Sequence, residues 1–276
     1  MTTATGRAGT VVVPAARPGL HKHSNGRGHW YTLDDRKVPG VTTLIGDGIP
    51  KPALINWAAK SVAEYVADNR HAVTQLWDTM PRAQVVAALK GTPYAQRDEA
   101  GRRGTEIHRL AERLAHGDEV EVPDEIAPQV DAAVRWLDDW QPRVLISEAP
   151  VASRQWWYAG TLDLVVETPD GTRWIVDWKS GKSGIWGEAA LQLAAYAHAE
   201  FYLADDAEHP MADLRITRGL GVHLRPDGTY AAHEVDISAE TFTHFTRVAW
   251  LARINKDMKA RLVSEPMPTP TWGDTA

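Results

Sequence analysis

The sequence predicts an α/β fold: a mixed central β-sheet flanked by helices, with an N-terminal helical section. Three observations carry this. Residues 161–179 read as two strands joined by the turn Pro169-Asp170-Gly171, the first β-branched and largely apolar. A second hairpin pattern spans 219–235 around Pro226-Asp227-Gly228. Segments of helical period flank both, at about 52–68, 94–115, 125–140, 187–203 and 239–261.

Taken in order, residues 1–20 are rich in Ala, Gly and Thr and read as a mobile tail. His29 to Leu33 and Arg36 to Gly40, about Asp34-Asp35, read as a short hairpin, after which Thr42 or Thr43 caps a turn. Pro52 suits the first position of a helix running to Asp68, because its missing N–H has no intrahelical partner there anyway. Its apolar stripe is Leu54, Ile55, Ala58, Val62 and Tyr65 or Val66. Residues 71–90 read as one or two short helices interrupted at Pro81, and Gly91-Thr92-Pro93 separates them from the 94–115 helix, which Gly117 ends.

Residues 118–123 are an acidic loop or short strand, and Val130, Val134 and Leu137 form the stripe of the next helix. Arg143 to Ser153 reads as one strand carrying Glu148, leading into a hairpin of Thr161–Thr168 and Arg173–Lys179. An Ala-rich helix from Gly187 to about Leu203, the second hairpin, a long helix and a Pro-rich end complete the chain. The expected division is a tail at 1–20, one domain at 21–264 (hairpin and helices at 21–92, core at 93–264) and a tail at 265–276.

Composition bounds the function. There are no cysteines, which excludes disulfides, zinc–thiolate sites and iron–sulfur clusters. No apolar run approaches the ~20 residues of a membrane span, and residues 1–19 lack a signal-peptide pattern, so a cytoplasmic location without membrane attachment is expected. A net charge of −6 argues against holding nucleic acid by bulk charge, but leaves room for a local basic groove and metal-assisted phosphate binding. No Gly-x-x-x-x-Gly-Lys-[Ser/Thr] occurs, so no helicase motor of that kind is encoded.

Asp163 lies in an apolar run, and Asp177 stands two residues before Lys179. Side chains alternate along a strand, so Asp177 and Lys179 share a face, Trp178 takes the other, and hairpin pairing brings Asp163 near. Buried charge needs a partner. Mg²⁺ supplies one, taking carboxylate oxygens while keeping several waters. The bland alternative is that the aspartates end strands or cap turns and Lys179 makes a surface ion pair. Glu188, Gln192 and Tyr196 align on one helix face, with Ala190, Leu193 and Ala197 facing the sheet; Gly104, Thr105, His108 and Glu112 align on another helix.

Asp163…Asp177-Trp178-Lys179, followed by Gln192-Leu-Ala-Ala-Tyr196, resembles the PD-(D/E)XK nucleases. With Gly104-Thr-Glu-Ile-His108 upstream, the set is similar to the RecB-like exonuclease branch, four motifs in the family's order over residues 104–196. The resemblance implies a restriction-endonuclease-like core and Mg²⁺ or Mn²⁺ bound by His108, Asp163, Asp177 and the Trp178 backbone carbonyl, with Glu148 near a second metal. The Trp178 side chain would then be free to vary. Lys179 would act on the attacking water or scissile phosphate, and Gln192 and Tyr196 would approach the active site and DNA backbone. Some relatives carry a four-cysteine iron–sulfur cluster, which this chain cannot form.

The resemblance thus implies a stand-alone metal-dependent DNA exonuclease of recombination, repair or phage DNA replication. It is compatible with a separate helicase or single-strand annealing protein as partner, and with an oligomer. Three other readings stay open: a structure-specific or nicking endonuclease, an inactive nuclease-fold DNA-binding subunit, and a small-molecule hydrolase using Asp163 and Asp177 as an acid/base pair. Lys179 beside Asp177 is expected to hold that aspartate ionised, which suits a metal ligand better than a general acid. Arg97, Arg102, Arg103, Arg109 and Arg113 interleave with acids and read mostly as a solvated face, with Arg102 or Arg103 a phosphate contact; Lys182 reads as solvated or phosphate-contacting. Trp156, Trp157 and Tyr158 read as sheet-edge packing before base stacking.

Overall fold

The computed structural model describes residues 19–25, 28–181 and 183–270, without the side chains of residues 259 and 260. Almost all of the expected first tail, Lys182 and residues 271–276 lie outside the described residues. The chain opens with β1 (Leu20–Ser24), β2 (His29–Leu33) and β3 (Arg36–Val38), then α1 (Val41–Gly48), α2 (Pro52–Asp68), α3 (Arg70–Thr79), α4 (Arg82–Ala115) and α5 (Ala127–Trp140). Strands β4 (Arg143–Ser147), β5 (Pro150–Ser153), β6 (Tyr158–Thr161), β7 (Leu164–Glu167) and β8 (Arg173–Lys179) follow. Helix α6 (Glu188–Ala197), β9 (Phe201–Ala204), β10 (Ala207–Pro210), β11 (Arg218–Leu224), β12 (Tyr230–Val235) and α7 (Ala239–Leu262) complete it.

The central sheet is five-stranded, ordered β12-β11-β8-β7-β4. It is mixed: β8 and β11 run parallel, with Asp177 opposite Gly221, and the remaining pairs are antiparallel. Alternation along β7 and β8 builds a core on each face. Val165 and Ile175 point towards α1, α6 and α7, while Leu164, Val166, Val176 and Trp178 pack with α4 and α5. Asp177 therefore occupies the α6 side, two residues on from Ile175. Two smaller sheets, β10-β9-β5-β6 and β1-β2-β3, complete the β-structure. This is the α/β fold with a mixed sheet that the sequence predicts. Among the described residues, no helix is long and apolar enough to cross a membrane.

Several elements depart from expectation. The single strand expected over 143–153 is two strands in different sheets, and so is the first strand of the central hairpin, with Asp163 in the gap between β6 and β7. Residues 91–93 do not break a helix; α4 runs through Pro93. Proline in a helix interior forfeits a hydrogen bond and costs ~3 kcal/mol, but Pro93 and Val85 are buried and α4 lies along α2 and α3, so tertiary packing overrides propensity. The α2 stripe is not buried: Leu54 and Ile55 are 55% and 73% exposed, and Ser61 is the buried residue of that helix. Gly40, not Thr42 or Thr43, caps α1. No strand forms at 118–123. Helix α6 stops at Ala197 because Phe201–Ala204 pairs with β5 and β10 as β9.

Candidate active site

The site forms where two strand pairs change sheets. Strand β4 gives way to β5 at Glu148-Ala149, and β6 to β7 at Leu162-Asp163; β4 and β7 lie in the five-stranded sheet, β5 and β6 in the four-stranded one. The two gaps face each other and are pinned by main-chain hydrogen bonds, Glu148 N–H to the Asp163 carbonyl at 2.8 Å and Leu162 N–H to the Ala149 carbonyl at 3.0 Å. Glu148 has φ 45°, a left-handed conformation that costs an L-residue ~1–2 kcal/mol. The expectation of Glu148 within a strand is thus corrected: it sits at the crossover, and its side chain lines the same cleft as Asp163.

Asp177, 2% exposed, lies on β8 beneath α6. Its Oδ1 accepts hydrogen bonds from Gln192 Nε2 and Lys179 Nζ, each at 2.8 Å. Lys179 Nζ also approaches Oδ2 to 2.6 Å but out of line, so that buried oxygen has a charge contact and no hydrogen bond. Asp163 Oδ2 accepts from the Trp178 N–H at 2.8 Å and lies 3.5 Å from His108 Nδ1. Tyr196 is buried, and its ring fits because residue 160 is glycine; a Cβ there would stand 2.4 Å from the ring. A cleft of about 450 Å³ joins His108, Glu148, Asp163, Asp177, Lys179, Gln192 and Tyr196.

Burial dominates the electrostatics. It raises Asp163 and Asp177 to about 6, with Lys179 opposing the rise for both and Asp163 reinforcing it for Asp177. Burial, then the charge of Asp163, raises Glu148 to about 7. Burial lowers His108 to about 4, so its imidazole is neutral at pH 7 with a nitrogen able to act as a ligand. Burial likewise pushes the Tyr196 hydroxyl well above its ordinary range, which keeps it a neutral donor. Lys179 favours the ionised form of Asp177 as expected, but desolvation outweighs it and the carboxyl sits near 6, still mostly ionised at pH 7.

The Trp178 side chain is not free to vary. It is 1% exposed and packs edge-on against Trp136 with ring centroids 4.9 Å apart. Its main chain is what reaches the cleft, through the N–H held by Asp163 and a hydrogen bond with His108. A Cβ at Gly104 would meet only the Ser180 hydroxyl, at 3.4 Å, so no backbone approach requires a glycine there. Arg97, Arg103, Arg109 and Arg113 each pair with a nearby acid on the exposed surface. Tyr158 is buried with its O–H on the Ala195 carbonyl, and the Arg36 guanidinium covers the Trp157 ring, as sheet-edge packing requires.

Sequence reasoning missed the contribution of the first hairpin. Lys22, His29 and Tyr31 also line the cleft; Tyr31 Oη lies 2.8 Å from Thr161 Oγ1, and Lys22 offsets the charges of Glu148 and Asp163. Strand β1, Leu-His-Lys-His-Ser, shows too little apolar alternation to be noticed. Glu112, placed beside His108 by helical spacing, accepts from Ser147 Oγ at 2.7 Å and ties α4 to β4. Among the described residues, no group of three or more His, Cys, Asp or Glu side chains is arranged to hold a metal ion unaided.

No family model matches the chain, and no curated protein matches it. Among solved structures with some likeness is one described as "Crystal structure of SSO0001", 12% identical over 82% of this chain and 76% of that chain, with a TM-score of 0.28. A likeness that slight carries no argument about this chain.

Proposed function

We propose that the chain is a divalent-metal-dependent deoxyribonuclease of the PD-(D/E)XK type, RecB-like branch, acting as an exonuclease in recombination, repair or phage DNA replication. One observation carries the reading: the Gly-x-x-x-His helix, the two aspartates, the lysine and the Gln-x-x-x-Tyr helix come from four separate segments and line one cleft. Two buried carboxylates with raised pKa, a buried oxygen without a hydrogen bond and a neutral imidazole are a donor set that a hard cation would relieve. Asp163 and Asp177 would hold Mg²⁺ or Mn²⁺, with His108 and the Trp178 carbonyl completing the protein ligands. The pair of carboxylates alone meets the needs of Mg²⁺, which keeps waters and phosphate oxygens in its remaining positions. When bound, the ion lowers the pKa of a water and neutralises charge on the phosphate.

The remaining chemistry belongs to the chain. Gln192 holds Asp177 in place through Oδ1, and the Trp178 N–H fixes Asp163. Lys179, 36% exposed at the cleft, presents an ammonium to the reacting phosphate, where stabilising charge that develops in the transition state accelerates the step. Tyr196, kept neutral by burial, lines the cleft one helical turn from Gln192. Lys22 and His29, which line the same cleft, give a strand's backbone a second, local source of positive or hydrogen-bonding groups. An acidic chain with charge concentrated this way suits capture of a DNA end more than broad binding to internal duplex.

The test is hydrolysis of end-labelled linear DNA and of covalently closed circles, with Mg²⁺ and with a chelator. Rapid, metal-dependent loss of the linear substrate alone is expected. Equal attack on circles would move the chain to the endonuclease reading, and no metal-dependent cleavage of either would refute nuclease activity.

A further inference from the structure

A second pocket adjoins the carboxylate cleft and shares Thr42, Lys179 and Gln192 with it. It has about 530 Å³, and its other walls are mostly apolar: Ile45, Pro50, Pro52, Leu54 and Trp186. Trp186 is 62% exposed and Leu54 55%, an unusual placement for an indole beside a leucine, since a large aromatic normally buries most of its surface. The exposure is not that of a loose loop. Trp186 is flanked by Ile185, packed so tightly on Gly221 that a Cβ there would come within 3.0 Å of it. On the other side, the Ala189 N–H donates to the Trp186 carbonyl at 2.9 Å at the start of α6. These neighbours fix the main chain from which the exposed indole projects. Lys51, paired with Glu188 at 3.5 Å, supplies a cation to the pocket's lining.

We propose that this pocket is a nucleobase subsite, in which an unpaired base stacks on Trp186 against Pro52 and Leu54 while its phosphate faces Lys179. The proposal rests on the nuclease reading and specifies its substrate: the strand end is taken unpaired, because a base still stacked in duplex could not enter a pocket beside the reacting phosphate. Continuity through Lys179 and Gln192 argues for the same strand rather than a separate ligand. The apolar character of the surface around Trp186, Pro52 and Leu54 predicts stacking without base identity, since every base offers a π-face.

Wild type, Trp186→Ala and Trp186→Phe are titrated in chelator with fluorescently labelled oligo(dT) and with a matching abasic strand, and hydrolysis of the same strands is then followed in Mg²⁺. Trp186→Ala should bind oligo(dT) about tenfold more weakly than wild type, a typical loss for one stacked base. Both proteins should bind the abasic strand equally, and Trp186→Phe should recover most of the affinity. Equal oligo(dT) binding by wild type and Trp186→Ala, or an equal loss on the abasic strand, overturns the subsite and leaves the nuclease reading standing if wild type still hydrolyses. A base-dependent loss of binding without hydrolysis by any protein supports the subsite as a strand-binding site and refutes the nuclease reading instead.

Discussion

Replacing Asp177 with asparagine should stabilise the metal-free protein at pH 8. The wild-type carboxyl is raised from 3.8 to about 6, chiefly by burial, so ionising it in the folded state costs ~3 kcal/mol more than in the unfolded chain. That difference already includes the attraction of Lys179; part of the gain is forfeited because an asparagine Nδ2 would replace the oxygen that Lys179 Nζ approaches, while its Oδ1 can still accept from Gln192. The net gain is on the order of 1–2 kcal/mol, about 2–8 °C in Tm for a chain of this size. The sign follows from linkage. A carboxyl whose folded pKa lies above its unfolded one contributes stability below pH 3.8 and loses it as pH rises through about 6. Asp163 and Glu148 act in the same direction, whereas His108, lowered from 6.5 to about 4, contributes above 6.5 and loses its contribution as pH falls through about 4. Comparing variant with wild type largely isolates Asp177. Calorimetry in chelator should show the variant ahead at pH 8 and level near pH 4, and added Mg²⁺ should raise the wild type's Tm but not the variant's. A variant less stable by the same amount at both pH values would refute the claim that the site carries uncompensated negative charge.

Lys179→Ala removes the ammonium but no carboxylate, so turnover should fall by roughly 10²–10³ while Mg²⁺ affinity by titration calorimetry changes little. Lost metal binding would make Lys179 a structural support for Asp177. Gly160→Ala places a methyl 2.4 Å from the Tyr196 ring, and the resulting overpacking should cost about 1–3 kcal/mol in urea unfolding and lower activity by displacing the helix that carries Gln192. An unchanged urea midpoint would show that Tyr196 can move aside freely.

Local chemistry written in one stretch was legible. Pro52 at the start of α2, Gly171 and Gly228 in left-handed turn positions, and the apolar run of β8 all specify their structure without help from distant residues. Spacing within one element also showed that Asp177 shares a face with Lys179 and Gln192 with Tyr196, whereas the meeting of these residues with His108 and Asp163 in one cleft was implied by the family resemblance and not by spacing. What failed depended on partners far along the chain. Nothing local ends a strand at Ser147 or Thr161; the breaks exist because two β-ribbons cross there and must exchange sheets together. Helix α4 survives Pro93 through packing, and the expected helix gives way after Ala197 to strand at Phe201–Ala204 because β5 and β10 offer it edges. The resemblance implied that the Trp178 side chain is free to vary, yet alternation sends its ring into the core that holds Trp136.

The paired crossover also decides where this chain can change length. A residue added at the turns 169–171 or 226–228 would enlarge a surface loop and leave both flanking registers intact. A residue added next to Asp163 would not be absorbed, because facing alternates with a period of two. It would either rotate the carboxylate away from Asp177 or shift β7 along β8 and turn Val165 out of its core. Deletion at Ala149 would do the same through the opposite ribbon. Insertions and deletions compatible with a folded chain should therefore accumulate at the hairpin tips, the β5–β6 tip at 154–157 included, and be absent from the two gaps at 148–149 and 162–163, whose lengths are fixed in any functioning variant of this protein.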